Sequence, residues 1–184
     1  DTALAAVGAS GPILNLILVL FMGISTGAGV VIAQFFGAGD LSKMKKAIHN
    51  SIALTLVIGV VLTVIGLVFN DPILKAIGVP NDVFSEASTY LSIYFWSLIF
   101  VMIYNMGSGI LRSVGDSKRP LYFLIFSSVI NIVLDFLFVK NFGFGVAGAG
   151  YATLIAQAIS AIMVMYVLMK TEDDYKVILK EIGF

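Results

Sequence analysis

The stretch LYFLIFSSVINIVLDFLFVK, residues 121–140, decides the class of this protein. Pro120 opens it and Lys140 closes it, and between them only Asp135 carries a charge. About 20 residues of helix cross the ~30 Å hydrocarbon core of a bilayer. The run shows no strand alternation and is much longer than the ~10-residue segments of a membrane barrel. It reads as one membrane-spanning helix.

Outward from that stretch the pattern repeats. Charged residues divide the chain into apolar runs at about 12–36, 47–69, 83–111, 121–139 and 149–169, which predicts five spans. The first run, Thr2 to Gly39, has no ionisable residue and is punctuated by Gly8, Gly11 and Pro12. We read one long span from about Pro12, with an irregular or protruding entrance; a two-span hairpin is the rival. Asp71-Pro72, followed by Ile73, Leu74 and Ile77, predicts a short amphipathic helix at the outer surface. Asn81 or Asp82 is expected to cap the third span. In the tail, residues 171–184, Tyr175, Ile178, Leu179 and Ile182 recur at helical spacing, which predicts an amphipathic linker helix on the cytoplasmic face.

Composition agrees with this class. The 184 residues are 59% hydrophobic and 12% charged, with a mean hydropathy of +1.03, and a soluble domain is usually about 25% charged. The formal net charge is zero, so no global field suggests a nucleic-acid partner. There is no cysteine and one histidine, which excludes disulfides, thiolate sites and a histidine metal cluster. His49 has no partner at metal-ligand spacing and reads as structural. No serine has a histidine–acid pair, so nucleophilic hydrolysis has no support and no enzyme is expected. The chain starts without Met and ends shortly after a charged segment, so we expect a truncated piece of a longer protein.

The charges also set orientation. Lys43, Lys45 and Lys46, then Arg112, Lys118 and Arg119, then Lys170, Lys176 and Lys180 fall on alternate connections, against Lys75 and Lys140 on the others. Positive residues stay in the cytoplasm, which places the first three groups inside.

Asp135 is the acid this reading places within a span, at an insertion cost of at least about 2.5–3.5 kcal/mol, and such residues usually face an interior cavity. Asn131 lies four residues earlier on the same face. Together they offer hard oxygens to a proton, Na⁺ or a cationic solute. The competing reading is an acid near the outer end, five residues before Lys140, that reaches the headgroups. Asn15, Gln34, Asn105, Thr153 and Gln157 are, individually, ordinary interhelical glue, and Tyr90 and Trp96 ordinary interfacial aromatics. Gly23 with Gly27, and Gly107 with Gly109, give small faces for close helix approach. Gly143-Phe-Gly145-Val-Ala-Gly148 matches a dinucleotide fingerprint formally, but it follows a membrane helix and reads as an outer turn.

Several segments in order resemble the MATE (multidrug and toxic compound extrusion) family of cation-coupled antiporters. They are Leu4-Ala-Ala-Val-Gly8, Gly37-Ala-Gly-Asp40, Leu111-Arg-Ser-Val-Gly-Asp116 with Pro120, Asn131-Ile-Val-Leu-Asp135 and Gly148-Ala-Gly-Tyr-Ala-Thr153. The resemblance implies an all-α fold covering helices two to six of the first of two six-helix lobes. The family's first helix, with a second functional Asp in many members, and the whole second lobe would be missing partners of this chain. The resemblance places the family's acidic cation site on Asp135, with Asn131, Thr153, Asn105 and Tyr90 around it. Asp135 and Asn131 would ligate metal only if Na⁺ is the coupling ion, and no other cofactor is expected. The implied parent is a multi-pass antiporter of the inner cell membrane, exporting amphipathic or cationic organic compounds in exchange for H⁺ or Na⁺. Its partners are the lipid bilayer and a small organic substrate. A related lipid-linked or polysaccharide flippase, or a non-transporting membrane scaffold, are the alternatives.

Overall fold

A computed structural model describes the backbone of residues 2–76, 78–143 and 145–184, and the side chains of these residues except 2–7, 9, 10, 13, 14 and 146. The chain forms α1 (Thr2–Gly37), α2 (Leu41–Val68), the short α3 (Asn70–Ala76), α4 (Asn81–Ser113), α5 (Lys118–Asp135), a π-helical turn (Phe136–Asn141) and α6 (Gly145–Lys170). The architecture is all-α. Among the described residues, five helices are long and apolar enough to cross a membrane: 15–37, 41–68, 81–113, 118–141 and 147–170.

α4 is the axis of the bundle and packs against α1, α2 and α6, whereas α5 docks mainly on α6. Hydroxyl groups tie the central contacts. Ser25 donates to the Asn105 carbonyl (3.2 Å), Ser113 to the Gly29 carbonyl (2.9 Å) and Thr63 to the Phe95 carbonyl (3.1 Å). The Tyr104 hydroxyl donates to the Pro120 carbonyl (2.7 Å) and so sets the register of α5 against α4.

Of the two entrances expected for α1, irregular or protruding, the helix that starts ahead of the span at 15–37 leaves the protruding one. No irregular entrance and no hairpin occurs, because the helix runs unbroken through Gly8, Gly11 and Pro12. A helical proline loses one backbone hydrogen bond and crowds the carbonyl four residues back, a position occupied here by Gly8. Membrane helices tolerate such prolines where neighbouring groups satisfy the freed carbonyl.

Two tight connections on one side of the bundle use the same chemistry. Gly39 and Gly115 adopt left-handed φ values of 72° and 95°, a conformation glycine enters without steric cost. Each is followed by an aspartate whose carboxylate accepts the N–H three residues on, from Lys43 to Asp40 (3.2 Å) and from Arg119 to Asp116 (3.2 Å). The basic residues expected in these connections lie in the flanking helices, Lys43, Lys45 and Lys46 near the start of α2, Lys118 and Arg119 at the start of α5 and Arg112 in the last turn of α4. At the opposite end, α4 starts after Pro80 with no side-chain cap, so neither Asn81 nor Asp82 caps it.

The tail is not the amphipathic helix that its spacing predicted. Beyond α6 the only helical piece is one 3₁₀ turn at Leu179–Glu181. The Thr171 hydroxyl and Asp173 form a local turn that ends α6 (2.8 and 3.2 Å). The Val177 N–H then donates to the Leu168 carbonyl (2.9 Å) and the Ile178 N–H to His49 Nε2 (3.0 Å). A regular helix would turn these donors onto its own carbonyls. The extended path instead buries Val177 and lays Tyr175 and Ile182 against the core.

Of the expected small-residue contacts, Gly107 and Gly109 are close approaches, against Val164 and Ser25, and Gly23 and Gly27 are not. A Cβ at Gly23 or Gly27 would meet nothing within 4 Å. At Gly107 it would overlap Val164, at Gly66 the Phe95 ring, and at Gly150 it would stand 3.0 Å from Ile93.

Candidate functional site

The site forms on the C-terminal part of α5, which docks mainly on α6. Asn131 and Asp135 sit one turn apart on α5, and both Oδ1 atoms are buried without a hydrogen-bond partner. A buried polar atom left unpaired costs about 1–3 kcal/mol, so it asks for a functional account. Among the described residues five side-chain oxygens are in this position, those of Asn70, Glu86, Ser108, Asn131 and Asp135. Three of the five belong to the outer ends of α4 and α5.

The α-helix ends at Asp135 and gives way to the π turn. A π turn widens the helix and recurs at functional positions, because it redirects side chains without breaking the hydrogen-bond ladder. Here it follows the acid directly. Lys140, the nearest cation in sequence, stands over the Phe136 ring at 4.6 Å.

Counting from the Tyr104–Pro120 bond gives the level on α4 that corresponds to the acid. Asp135 is fifteen residues beyond Pro120, and fifteen residues back from Tyr104 along antiparallel α4 lies Thr89, with Tyr90 next to it. The Tyr90 phenol is within electrostatic reach of the Asp135 carboxylate, and its ring packs at a tilt on Tyr94, 6.4 Å between centroids. On α6, Gly150 faces Ile93, which sets Thr153 two to three residues inward of the Asn131 level, about 4 Å along the axis. The Thr153 hydroxyl donates to the Ala149 carbonyl (3.1 Å) and keeps its lone pairs free to accept. By their levels along α4, α5 and α6, Tyr90, Asp135, Asn131 and Thr153 line up as a column of oxygens, with Tyr90 near Asp135.

Asn105 does not join them. It lies fifteen residues inward of Tyr90, about 22 Å along α4. Its amide donates to the Val101 carbonyl (2.8 Å) and its backbone oxygen receives Ser25, so it serves the α1–α4 contact. Sequence reasoning missed Glu86, although it falls inside the third predicted span and one turn before Tyr90, which was signal enough. The π turn carried no local signal.

Among the described residues no group of three or more His, Asp or Glu side chains could hold a metal ion. The column offers one carboxylate, one amide oxygen, one phenol and one hydroxyl. That set suits a proton or a singly charged cation with some water.

The fold and site define a membrane helix bundle that holds an acid and an amide oxygen unpaired on one of its helices. Comparison with known proteins makes this specific: the MatE family model matches residues 1–137, and the chain belongs to that family. It is 36% identical over 172 residues to a probable multidrug resistance protein, YoeA, of Bacillus subtilis (strain 168), covering 91% of this chain and 37% of that protein. An inward-facing structure of a multidrug resistance MATE family transporter of the MOP superfamily superposes with a TM-score of 0.93 at 31% identity, over 100% of this chain and 42% of that one. An outward-facing structure of such a transporter gives 0.91 at 31% identity, over 98% and 40%. The chain spans about two-fifths of the length of the relatives it matches.

Proposed function

We propose that this chain is the ion-coupling lobe of a multidrug efflux antiporter of the inner cell membrane, in which Asp135 exchanges H⁺ or Na⁺ against amphipathic or cationic organic compounds. The observation that carries the reading is the pair of buried, unpartnered oxygens of Asp135 and Asn131 in the stretch of α5 that has no other charge after Arg119. A carboxylate in a partly dry site favours either a proton or a cation over standing empty. Occupancy by one then opposes the other, which is the thermodynamic requirement for exchange. Asn131 supplies a neutral oxygen to the bound cation, and Tyr90 and Thr153 complete its surroundings.

The close match of one lobe to both an inward- and an outward-facing relative supports a rigid half that moves as a unit. A ligand preferring one access state would shift the equilibrium between them. No charged residue lies on α6 before Lys170, which favours cationic cargo over the anionic headgroup a flippase would hold.

The test uses the complete gene product in proteoliposomes under imposed H⁺ or Na⁺ gradients. Asp135→Asn keeps the volume and removes the charge, and it should abolish ion-driven efflux while the protein still inserts. Asn131→Ala should weaken coupling less, and Asp135→Glu should retain part of it. Wild-type efflux by Asp135→Asn would refute the assignment.

A further inference from the structure

Glu86 is an acid that the proposed coupling chemistry leaves unused. It enters the outer end of α4 one turn before Tyr90 and therefore shares its face. Its side chain is half-buried, and Oε2 is fully buried without a hydrogen-bond partner. By the register set at Tyr104 and Pro120, Glu86 lies about 6 Å outward of the Tyr90–Asp135 level. The order from the outside inward is Glu86, Tyr90 beside Asp135, Asn131, Thr153. The other charged groups near this end are Asp82 on α4, Asp71 and Lys75 on α3, and Lys140 over the Phe136 ring. Asp71 is engaged by the Ser88 hydroxyl (2.7 Å). None of these is in ion-pair contact with Glu86.

We propose that Glu86 is the outer station of the cation path: it draws the coupling ion from the external side and passes it to Asp135 past the Tyr90 hydroxyl. The inference rests on the reading of Asp135 as the coupling site. For a proton, the Glu86 carboxyl gives its proton to a water between the two acids as that water gives one to the Asp135 carboxylate, with the Tyr90 hydroxyl orienting the water; Glu86 is left ionised and Asp135 neutral. For Na⁺, the ion moves from one carboxylate to the other with the phenol oxygen between them. Two acids a turn apart hold a cation at either station. The outer one raises its local concentration where water still reaches.

The experiment is ion-driven efflux by the complete gene product in proteoliposomes, with external pH and external Na⁺ varied in separate arms. Glu86→Gln should raise the external ion concentration needed for half-maximal efflux about tenfold, the loss expected from removing one charge at this range in a partly desolvated site. The arm that shows the shift identifies the ion. Glu86→Asp should fall between wild type and Glu86→Gln, and Tyr90→Phe should shift half-saturation in the same direction. A purely structural role would lower yield and melting temperature with half-saturation unmoved. If Asp135→Asn is inactive while Glu86→Gln keeps wild-type half-saturation in both arms, the relay is overturned and the Asp135 site stands. If Asp135→Asn transports normally, the coupling site falls and the relay with it. Should Glu86→Gln fail to insert, Glu86→Thr provides a second neutral variant read in the same way.

Discussion

The backbone N–H of Ile178 donates to Nε2 of His49 across 129 positions of sequence (3.0 Å). His49 is 3% exposed, and its Nδ1 lies 2.7 Å from the Lys45 carbonyl. Since Nε2 accepts, Nδ1 carries the proton and donates to Lys45, so the neutral ring is satisfied on both sides. The lone histidine is the peg that fixes the segment after α6 to the start of α2. His49→Ala leaves the Ile178 N–H and the Lys45 carbonyl without it, at a cost of about 1–3 kcal/mol. Hydrogen exchange across residues 174–182 should accelerate strongly, with the outer half of the bundle unaffected. Unchanged protection at Ile178 would contradict the role.

Asn70 fastens α3 to α4. Its side-chain amide nitrogen donates to the Ser88 carbonyl (3.0 Å), the Ser88 hydroxyl (3.0 Å) and the Ser92 hydroxyl (2.7 Å). Asn70→Leu keeps the bulk and removes every donor. We expect a loss of about 1–3 kcal/mol, read as a lower melting temperature, and faster exchange confined to α3 and its connections. Asn70→Asp should be worse, since it sets a carboxylate against the Ser88 carbonyl oxygen and beside Asp71.

Close approach at Gly66 and Gly107 is tested by adding one methyl group. Gly66→Ala presses on the Phe95 ring and Gly107→Ala on Val164. Each should destabilise by about 1–3 kcal/mol. Gly23→Ala and Gly27→Ala, whose new Cβ would meet nothing within 4 Å, should stay near wild type in thermal unfolding.

Orientation follows from the charges. The starts of α2 and α5, the ends of α4 and α6 and the tail carry nine of the eleven basic residues. They lie at one end of the bundle, where His49 meets Ile178 and Tyr175 feels the charge of Arg119. With no native cysteine, Cys substitutions at Arg119 and Lys75 can be probed in intact cells with a membrane-impermeant reagent. Position 75 should label and position 119 should not. The reverse pattern would invert the topology.

Much of the fold was legible because hydropathy and helix length are local quantities. Residues 121–140 announce a membrane helix from composition alone, and Asp135 with Asn131 follows from spacing on that helix. The expected Asn105 contact failed for a geometric reason: fifteen helical residues separate it from Tyr90, and a shared resemblance says nothing of axial distance. Glu86 was readable from its place in the span and its spacing to Tyr90.

The sequence by itself determined that the protein is a bundle of membrane-crossing helices, which ends carry the positive charge, and where one acid sits in an apolar run. Each of these rests on neighbours within a few turns. Only the tertiary structure decided that the tail abandons helix for an extended path, that Asn105 serves packing, and that Tyr90 comes within electrostatic reach of Asp135. Those outcomes depend on which donors meet which acceptors between distant segments: Ile178 with His49, Val177 with Leu168, Tyr104 with Pro120. In an apolar medium a backbone group must find a partner somewhere, and where it finds one is settled by the packed bundle.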